Sequence, residues 1–205
     1  MNAEQIATVT DEVMRLYELH GADDYIGEPV SQLEHMSQSA QLAEREGYDN
    51  EVMLAAFLHD IGHLCANSGT LPDGTPPGTQ YASMDGYGAV SHEKIGANYL
   101  REKGFSEKIA QLVENHVQAK RYLTFQYPAY YDQLSEASKR TLEFQGGRMT
   151  AEEASNFEQD PLFDVSIRMR QWDELAKEEN VPTVDMAILR EKIARHLTRK
   201  GETEG

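Results

Sequence analysis

Cations are scarce in this chain. Nineteen lysines and arginines stand against thirty-five aspartates and glutamates in 205 residues, a formal net charge of −16. A surface of that sign repels a phosphate backbone, so no nucleic-acid partner is expected. Cysteine is almost missing too. Cys65 is alone, which excludes an internal disulfide and fits a reducing, cytoplasmic setting. No run approaches eighteen consecutive apolar residues, so no membrane span is expected. The start, MNAEQIATVT, has neither a basic n-region nor an apolar h-region, and no signal peptide is expected. Strand-like alternation, a Gly-rich phosphate loop, a Gly-x-Ser-x-Gly elbow and a Cys pair are all missing.

What is present reads as helix after helix, a single all-α domain over residues 1–205. Ile6, Val9, Val13, Leu16 and Leu19 recur at helical spacing over 3–20. Pro29 predicts the first turn of a helix that runs to about Glu46, closed by Gly47. Asn50 predicts the cap of one continuous helix over 51–65, apolar nearly all round and therefore central. Residues 66–90 hold three prolines and five glycines, the composition of a long lid-like loop. Helices follow at about 92–103, 107–122 and 135–145, with Ser91 and Ser106 as caps of the first two. Thr150 and Glu153 make a capping-box pattern, Asp160-Pro161 opens a helix to about Glu179, and Thr183 caps a last one to about Lys200. A flexible tail is expected at about 200–205.

Polar residues on apolar faces mark the chemistry. His59-Asp60 lies in the most apolar helix, with His63 one turn on. Buried, such groups need partners, and a metal satisfies imidazole and carboxylate together. A backbone carbonyl for His59 and a helix cap for Asp60 would serve as well. His116 continues the stripe Ile109, Leu112, Val113, and Lys120 follows one turn later. His35 sits between Leu33 and Leu42. At His116 another aliphatic side chain is expected, and His35 sits mid-helix. Arg170 and Asp173, three apart, read as a surface ion pair unless a metal claims the aspartate. His59 and His63 have zinc-protease spacing, but the intervening Asp-Ile-Gly lacks the glutamate base.

His35, then His59-Asp60, then a distal aspartate resembles the signature of the HD-domain superfamily. The resemblance implies a helical bundle with a metal site at its middle. With His92 and His116 added, the set His35, His59, Asp60, His92, His116 and Asp173 is similar to the six ligands of dinuclear members, with Asp60 bridging. Tyr25-Ile-Gly-Glu28, His-Asp-Ile-Gly-His63, His116 with Lys120, Ser138…Thr141…Gln145-Gly-Gly147, and Arg170 before Asp173 resemble the organophosphonate dioxygenases. These are mixed-valent diiron enzymes related to myo-inositol oxygenase, and the likeness covers about residues 25–175.

That resemblance implies an Fe(II)/Fe(III) pair, a small organophosphonate and dioxygen as partners, and oxidative cleavage of a C–P bond. It assigns His63 and Lys120 catalytic roles on the phosphonate, with Arg170, Ser138 and Thr141 beside them. Tyr25 and Glu28 would close over the other end. The 66–90 loop is longer than in the enzyme acting on 2-amino-1-hydroxyethylphosphonate. Its Tyr81, Met84, Asp85 and Tyr87 suit a trimethylammonium head, which has no N–H to donate. The expected substrate is (R)-1-hydroxy-2-(trimethylammonio)ethylphosphonate, and the products glycine betaine and phosphate. The alternatives are the unmethylated amine giving glycine, an HD phosphohydrolase, a non-catalytic signalling HD domain, and an inositol oxygenase.

Overall fold

The most apolar stretch of the chain becomes its centre. The computed structural model describes residues 1–25, 27–69 and 82–203, with side chains to Arg199. In it every residue from Val52 to Leu58 is buried. This helix, α3 (Asn50–Leu58), is apolar all round and needs neighbours on every side. They are α2 (Gln32–Arg45), α6 (Glu107–Gln126), α10 (Phe163–Leu175) and α11 (Met186–Thr203). α1 (Ala3–His20) lies against α4 (Ile61–Ser68) and α11, while α5 (His92–Glu102) packs on α4 and α6. One buried cluster takes side chains from all eight, among them Met36, Leu64, Leu100, Ile109 and Trp172. Around the C-terminal half of α6 stand α7 (Pro128–Gln133), α8 (Glu136–Phe144) and α9 (Ala151–Phe157), over a smaller cluster of Tyr122, Met149 and Phe157. The fold is all-α. Among the described residues β-pairing is limited to isolated bridges, Asp24 with Ser31 and Ser83 with Ala89.

Several helix ends differ from their sequence expectations. The start of α2 belongs to Ser31, not Pro29, because Ser31 and Glu34 close a capping box. Asp49, not Asn50, caps α3 by accepting from Val52 N–H. Asp185 replaces Thr183 at the start of α11, taking N–H bonds from Ala187 and Ile188. Ser91 precedes α5 at φ 60, with no side-chain cap bond. Ser106, Ser135 and Thr150 do cap their helices.

The first residues of the expected 66–90 loop are helical instead. α4 runs on to Ser68 and ends at left-handed Gly69. Residues 82–91 form a tight turn, with Val90 N–H on Ala82 O at 2.8 Å, Met84 N–H on Gly88 O at 2.9 Å, and Met84 buried. Residues 70–81, including Tyr81, lie outside the described residues, as does Ile26. The expected tail is helical as far as Thr203, and residues 204–205 lie outside the described ones.

Cys65 closes the buried face of α4 and has no solvent-exposed surface. Burial pushes its thiol up to about 12. A thiolate is the reactive form, so at pH 8 native protein is expected to resist iodoacetamide. Mass spectrometry should show Cys65 alkylated only once denaturant has unfolded the core.

Candidate functional site

The central helix breaks where its two polar residues stand. The sequence predicts one helix over 51–65, but α3 ends at Leu58, and Asp60, with φ −102° and ψ 11°, starts α4. Neighbouring residues on a continuous helix point about 100° apart. The break instead lets His59 and Asp60 both turn inward, at 1% and 3% exposure. It also frees backbone carbonyls, which side chains then satisfy. Tyr17 Oη donates to Phe57 O at 3.2 Å, and His59 Nδ1 to Ala56 O at 2.8 Å.

Into the same volume α2 brings His35, α5 His92, α6 His116 and α10 Asp173, all buried. They fall into two groups. The ligand-capable atoms of His35, His59 and Asp173 lie within 4.8 Å of one another, as do those of Asp60, His92 and His116. Asp60 stands between the groups. Its Oδ2 is 3.7 Å from His35 Nε2 and 3.5 Å from His59 Nε2. Its Oδ1 is 3.4 Å from His92 Nε2 and 3.5 Å from His116 Nε2.

Hydrogen bonding shows what this arrangement is short of. A carbonyl oxygen only accepts, so a ring nitrogen facing one carries the proton. His35 Nδ1 meets Ala176 O at 2.9 Å, and His116 Nδ1 meets Val113 O at 2.6 Å; His59 is held likewise. In the neutral ring each of these leaves a bare Nε2 lone pair turned inward. His35 and His59 then face each other Nε2 to Nε2 at 3.1 Å, as do His92 and His116. Asp173 Oδ1 is buried without a hydrogen-bond partner. Lone pairs and carboxylates converging without donors fit a cation. Ligands ~2.1 Å from one ion also sit about 3 Å apart.

Most charge states agree with that reading; the exception is His92, which, against the opposing effect of burial, Asp60 raises above the ordinary imidazole range. Burial, reinforced for His63 by neighbouring His92, pushes the His63 and His116 imidazoles down to about 3, so both rings are neutral. Burial alone would raise the Asp60 and Asp173 carboxyls. The imidazoles of His59 and His92 around Asp60, and Arg170 beside Asp173, outweigh it and hold both groups well below the usual carboxylate range.

A pocket of about 660 Å³ opens onto this cluster. Asp60, His92, His116 and Asp173 form part of its floor, with His63, Lys120, Ser138, Thr141 and Arg170 around them. Lys120 Nζ donates to Thr141 Oγ1 at 2.7 Å and to Gln145 Oε1 at 3.0 Å. Arg170 and Asp173 are paired, as the sequence suggested, but in the interior, at 4% and 3% exposure. Arg170 also pairs with Glu174 and donates to Tyr130 Oη at 2.9 Å and to Ser138 Oγ at 3.4 Å. Burial, and then the Arg170 charge, hold the Lys120 ammonium well below its usual range. Lys120 and Arg170 thus bring two basic groups to the pocket wall, Arg170 already paired with Asp173 and Glu174.

His63 stacks on His92 with ring centroids 4.0 Å apart. Ala89 N–H donates to its Nδ1 at 3.2 Å, so Nε2 of the neutral ring keeps the proton and is the donor. Gly88 permits this approach, for a Cβ there would lie 2.4 Å from the His63 ring. Tyr25 stacks on His35 at 3.9 Å. Glu28 lines the pocket and is tied from behind by Lys177 at 2.9 Å. Of the expected loop residues, Met84 and Tyr87 line the pocket, whereas Asp85 pairs outside it with Arg140 at 2.8 Å. Gln145, part of the Ser138…Gly147 segment, also lines it, as do Asp23, Asp24 and Gln32, to which the sequence assigns no role. Asp23, Asp24 and Gln32 flank a turn that nothing in their spacing ties to the cluster.

Residues 33–155 match the family model described as HD domain. An uncharacterized protein of Acanthamoeba polyphaga mimivirus is 46% identical over 177 residues, 86% of this chain and 76% of that protein. The [1-hydroxy-2-(trimethylamino)ethyl]phosphonate dioxygenase (glycine-betaine-forming) of Leisingera caerulea is 39% identical over 170 residues, 83% of this chain and 81% of the relative. The hydroxymethylphosphonate dioxygenase of Gimesia maris is 36% identical over 182 residues, 87% and 85% of the two chains.

Proposed function

We propose, for a chain that belongs to the HD-domain family, that the cluster of four histidines and two aspartates serves a diiron oxygenase that cleaves the C–P bond of a 1-hydroxyphosphonate. The observation that carries this reading is one pocket joining two facing ligand groups, with Asp60 between them, to the buried cations Lys120 and Arg170. The two phosphonate dioxygenases among the relatives support it. We assign His35, His59 and Asp173 to one ion, His92 and His116 to the other, and Asp60 to both.

An iron pair in this site would supply Lewis-acid activation of the substrate hydroxyl and a redox partner for dioxygen. The chain does the rest. Lys120, Arg170 and the Nε2–H of His63 bind the phosphonate oxygens by charge-assisted bonds and fix C1 over the cluster. Thr141 and Gln145 aim the Lys120 ammonium, and Ser138 and Tyr130 aim the Arg170 guanidinium. Tyr25 and the 82–91 turn exclude water above His35 and His63. The balance is one hydroxyphosphonate and one dioxygen giving one carboxylate and one phosphate. The C1–H and C1–P bonds break, and both oxygen atoms end in the products.

Part of the pocket lining supports a cationic head. Asp23, Asp24 and Glu28 supply carboxylates there, and Tyr25 and Tyr87 supply ring edges or faces. We therefore assign (R)-1-hydroxy-2-(trimethylammonio)ethylphosphonate as substrate and glycine betaine as product. The test is iron-loaded protein given this compound or 2-amino-1-hydroxyethylphosphonate, with and without oxygen. Phosphate and glycine betaine should form only under oxygen, and faster from the trimethylated compound. Preference for the primary amine overturns the head-group assignment alone. Oxygen-independent phosphate release, or release from simple phosphate esters only, replaces the oxygenase with a hydrolase.

A further inference from the structure

We infer that Glu93 is the positioning residue of His92 and that it makes the two halves of the cluster unequal. Three of the four clustered imidazoles hand their Nδ1–H to a backbone carbonyl: His35 to Ala176, His59 to Ala56 and His116 to Val113. His92 has no such carbonyl. Among the described residues its Nδ1 is buried without a hydrogen-bond partner, and Oε2 of Glu93, also buried and without one, stands 3.8 Å away. The two residues are 4% and 5% exposed, so bulk water is a poor substitute.

A buried donor and a buried acceptor facing each other unpaired are each costly, and closing 3.8 Å to a hydrogen bond takes under about 1 Å of movement. With Nδ1–H given to Glu93, the lone pair of His92 Nε2 points at Asp60 Oδ1 and His116 Nε2, as a ligand's must. Ser91, just before His92, holds φ 60° without a cap bond to explain it. Strain of that kind in a non-glycine residue collects at functional sites. The group of Asp60, His92 and His116 thus contains an imidazole backed by a carboxylate, while both imidazoles of the other group are backed by carbonyls. A carboxylate-backed imidazole is the stronger donor, so the two positions are built to hold their ions differently.

This inference rests on the reading that the six residues hold two ions, but its test needs no substrate. Metal-free wild type, Glu93→Gln and Glu93→Leu would be titrated anaerobically with Fe(II), and the metal-free forms melted. Wild type should bind two equivalents. Glu93→Leu should lose about 10–100-fold in affinity for one of them. Glu93→Gln, which keeps an acceptor at the same reach, should stay within a few-fold, and neither metal-free variant should melt below wild type. Equal binding in all three proteins, or a Gln variant that falls as far as the Leu variant, overturns the positioning role. Wild type binding fewer than two equivalents defeats the two-ion reading instead.

Discussion

On the proposed two-ion reading, Asp60→Asn is expected to abolish turnover and to strip the cluster of at least one ion. Its two carboxylate oxygens lie 3.4–3.7 Å from four different imidazole nitrogens, two on each side. An amide offers one weakly basic oxygen and one N–H group that repels a cation. The half of the cluster facing that N–H loses a ligand and meets a donor instead. Lewis-acid stabilisation by a bound ion is worth several kcal/mol. At 1.36 kcal/mol per tenfold, the expected fall in kcat is about 10³-fold or more. The bundle around the site should survive. Asp60 sits at a helix break whose carbonyls are held by Tyr17 and His59, and its side chain makes no cap bond. Metal-free Asp60→Asn should therefore melt near metal-free wild type, and the rise in Tm that metal gives wild type should largely vanish. Metal analysis beside paired melting curves checks both halves. A variant that keeps two ions and most of its activity would remove Asp60 from the metal site.

The pattern of apolar and polar residues made much of this arrangement legible. His59-Asp60 stands out because everything around it in residues 52–65 is aliphatic, small or aromatic, apart from His63. His116 stands out because it interrupts a stripe that Ile109, Leu112 and Val113 otherwise keep, whereas His35, flanked at helical spacing by Ser31, Gln32, Gln38 and Ser39, is singled out only by the resemblance. The structure brings all six singled-out histidine and aspartate side chains into one buried cluster. What the sequence hides is set by tertiary contact. Leu58, His59 and Ile61 all tolerate a helix, and Asp60 and Gly62 are weak signals of the break that the long apolar run outweighs in the sequence. Glu93 reads as an ordinary acidic residue in the first turn of a helix, favoured there by the macrodipole. Its place 3.8 Å from His92 Nδ1 is visible only in the structure. Lys177 behind Glu28 is 149 residues away in the chain, and no periodicity links them. Arg170 and Asp173 have the spacing of a surface pair, and only the packing of α10 on α2, α3 and α6 takes them inside.

Gly62→Ala is expected to be the most destabilising single-methyl addition among the described residues near the site. A Cβ at Gly62 would lie 1.9 Å from His92 O, 2.8 Å from His92 C and 2.9 Å from Gly96 N. All three are backbone atoms, so no rotamer change relieves the clash and α4 and α5 must part. Overpacking commonly costs 1–3 kcal/mol, and rigid neighbours put this site at about 3 or above. For a chain of this size that lowers Tm by about 6–12 °C or more. The consequence reaches the cluster, because Gly62 follows Asp60 by two residues and the clash is with the carbonyl of His92 itself. Pushing the helices apart lengthens the 3.4 Å from Asp60 Oδ1 to His92 Nε2. Metal should leave the half formed by Asp60, His92 and His116, while His35, His59 and Asp173, carried by α2, α3 and α10, keep theirs. Gly96→Ala is the control across the same crossing. Its nearest atoms are at 3.1 Å and include the Ile61 side chain, which can shift. Melting and metal content measured on both variants should rank Gly62→Ala well below Gly96→Ala. Equal effects would mean that the close crossing of α4 and α5 does not set the spacing of Asp60 and His92.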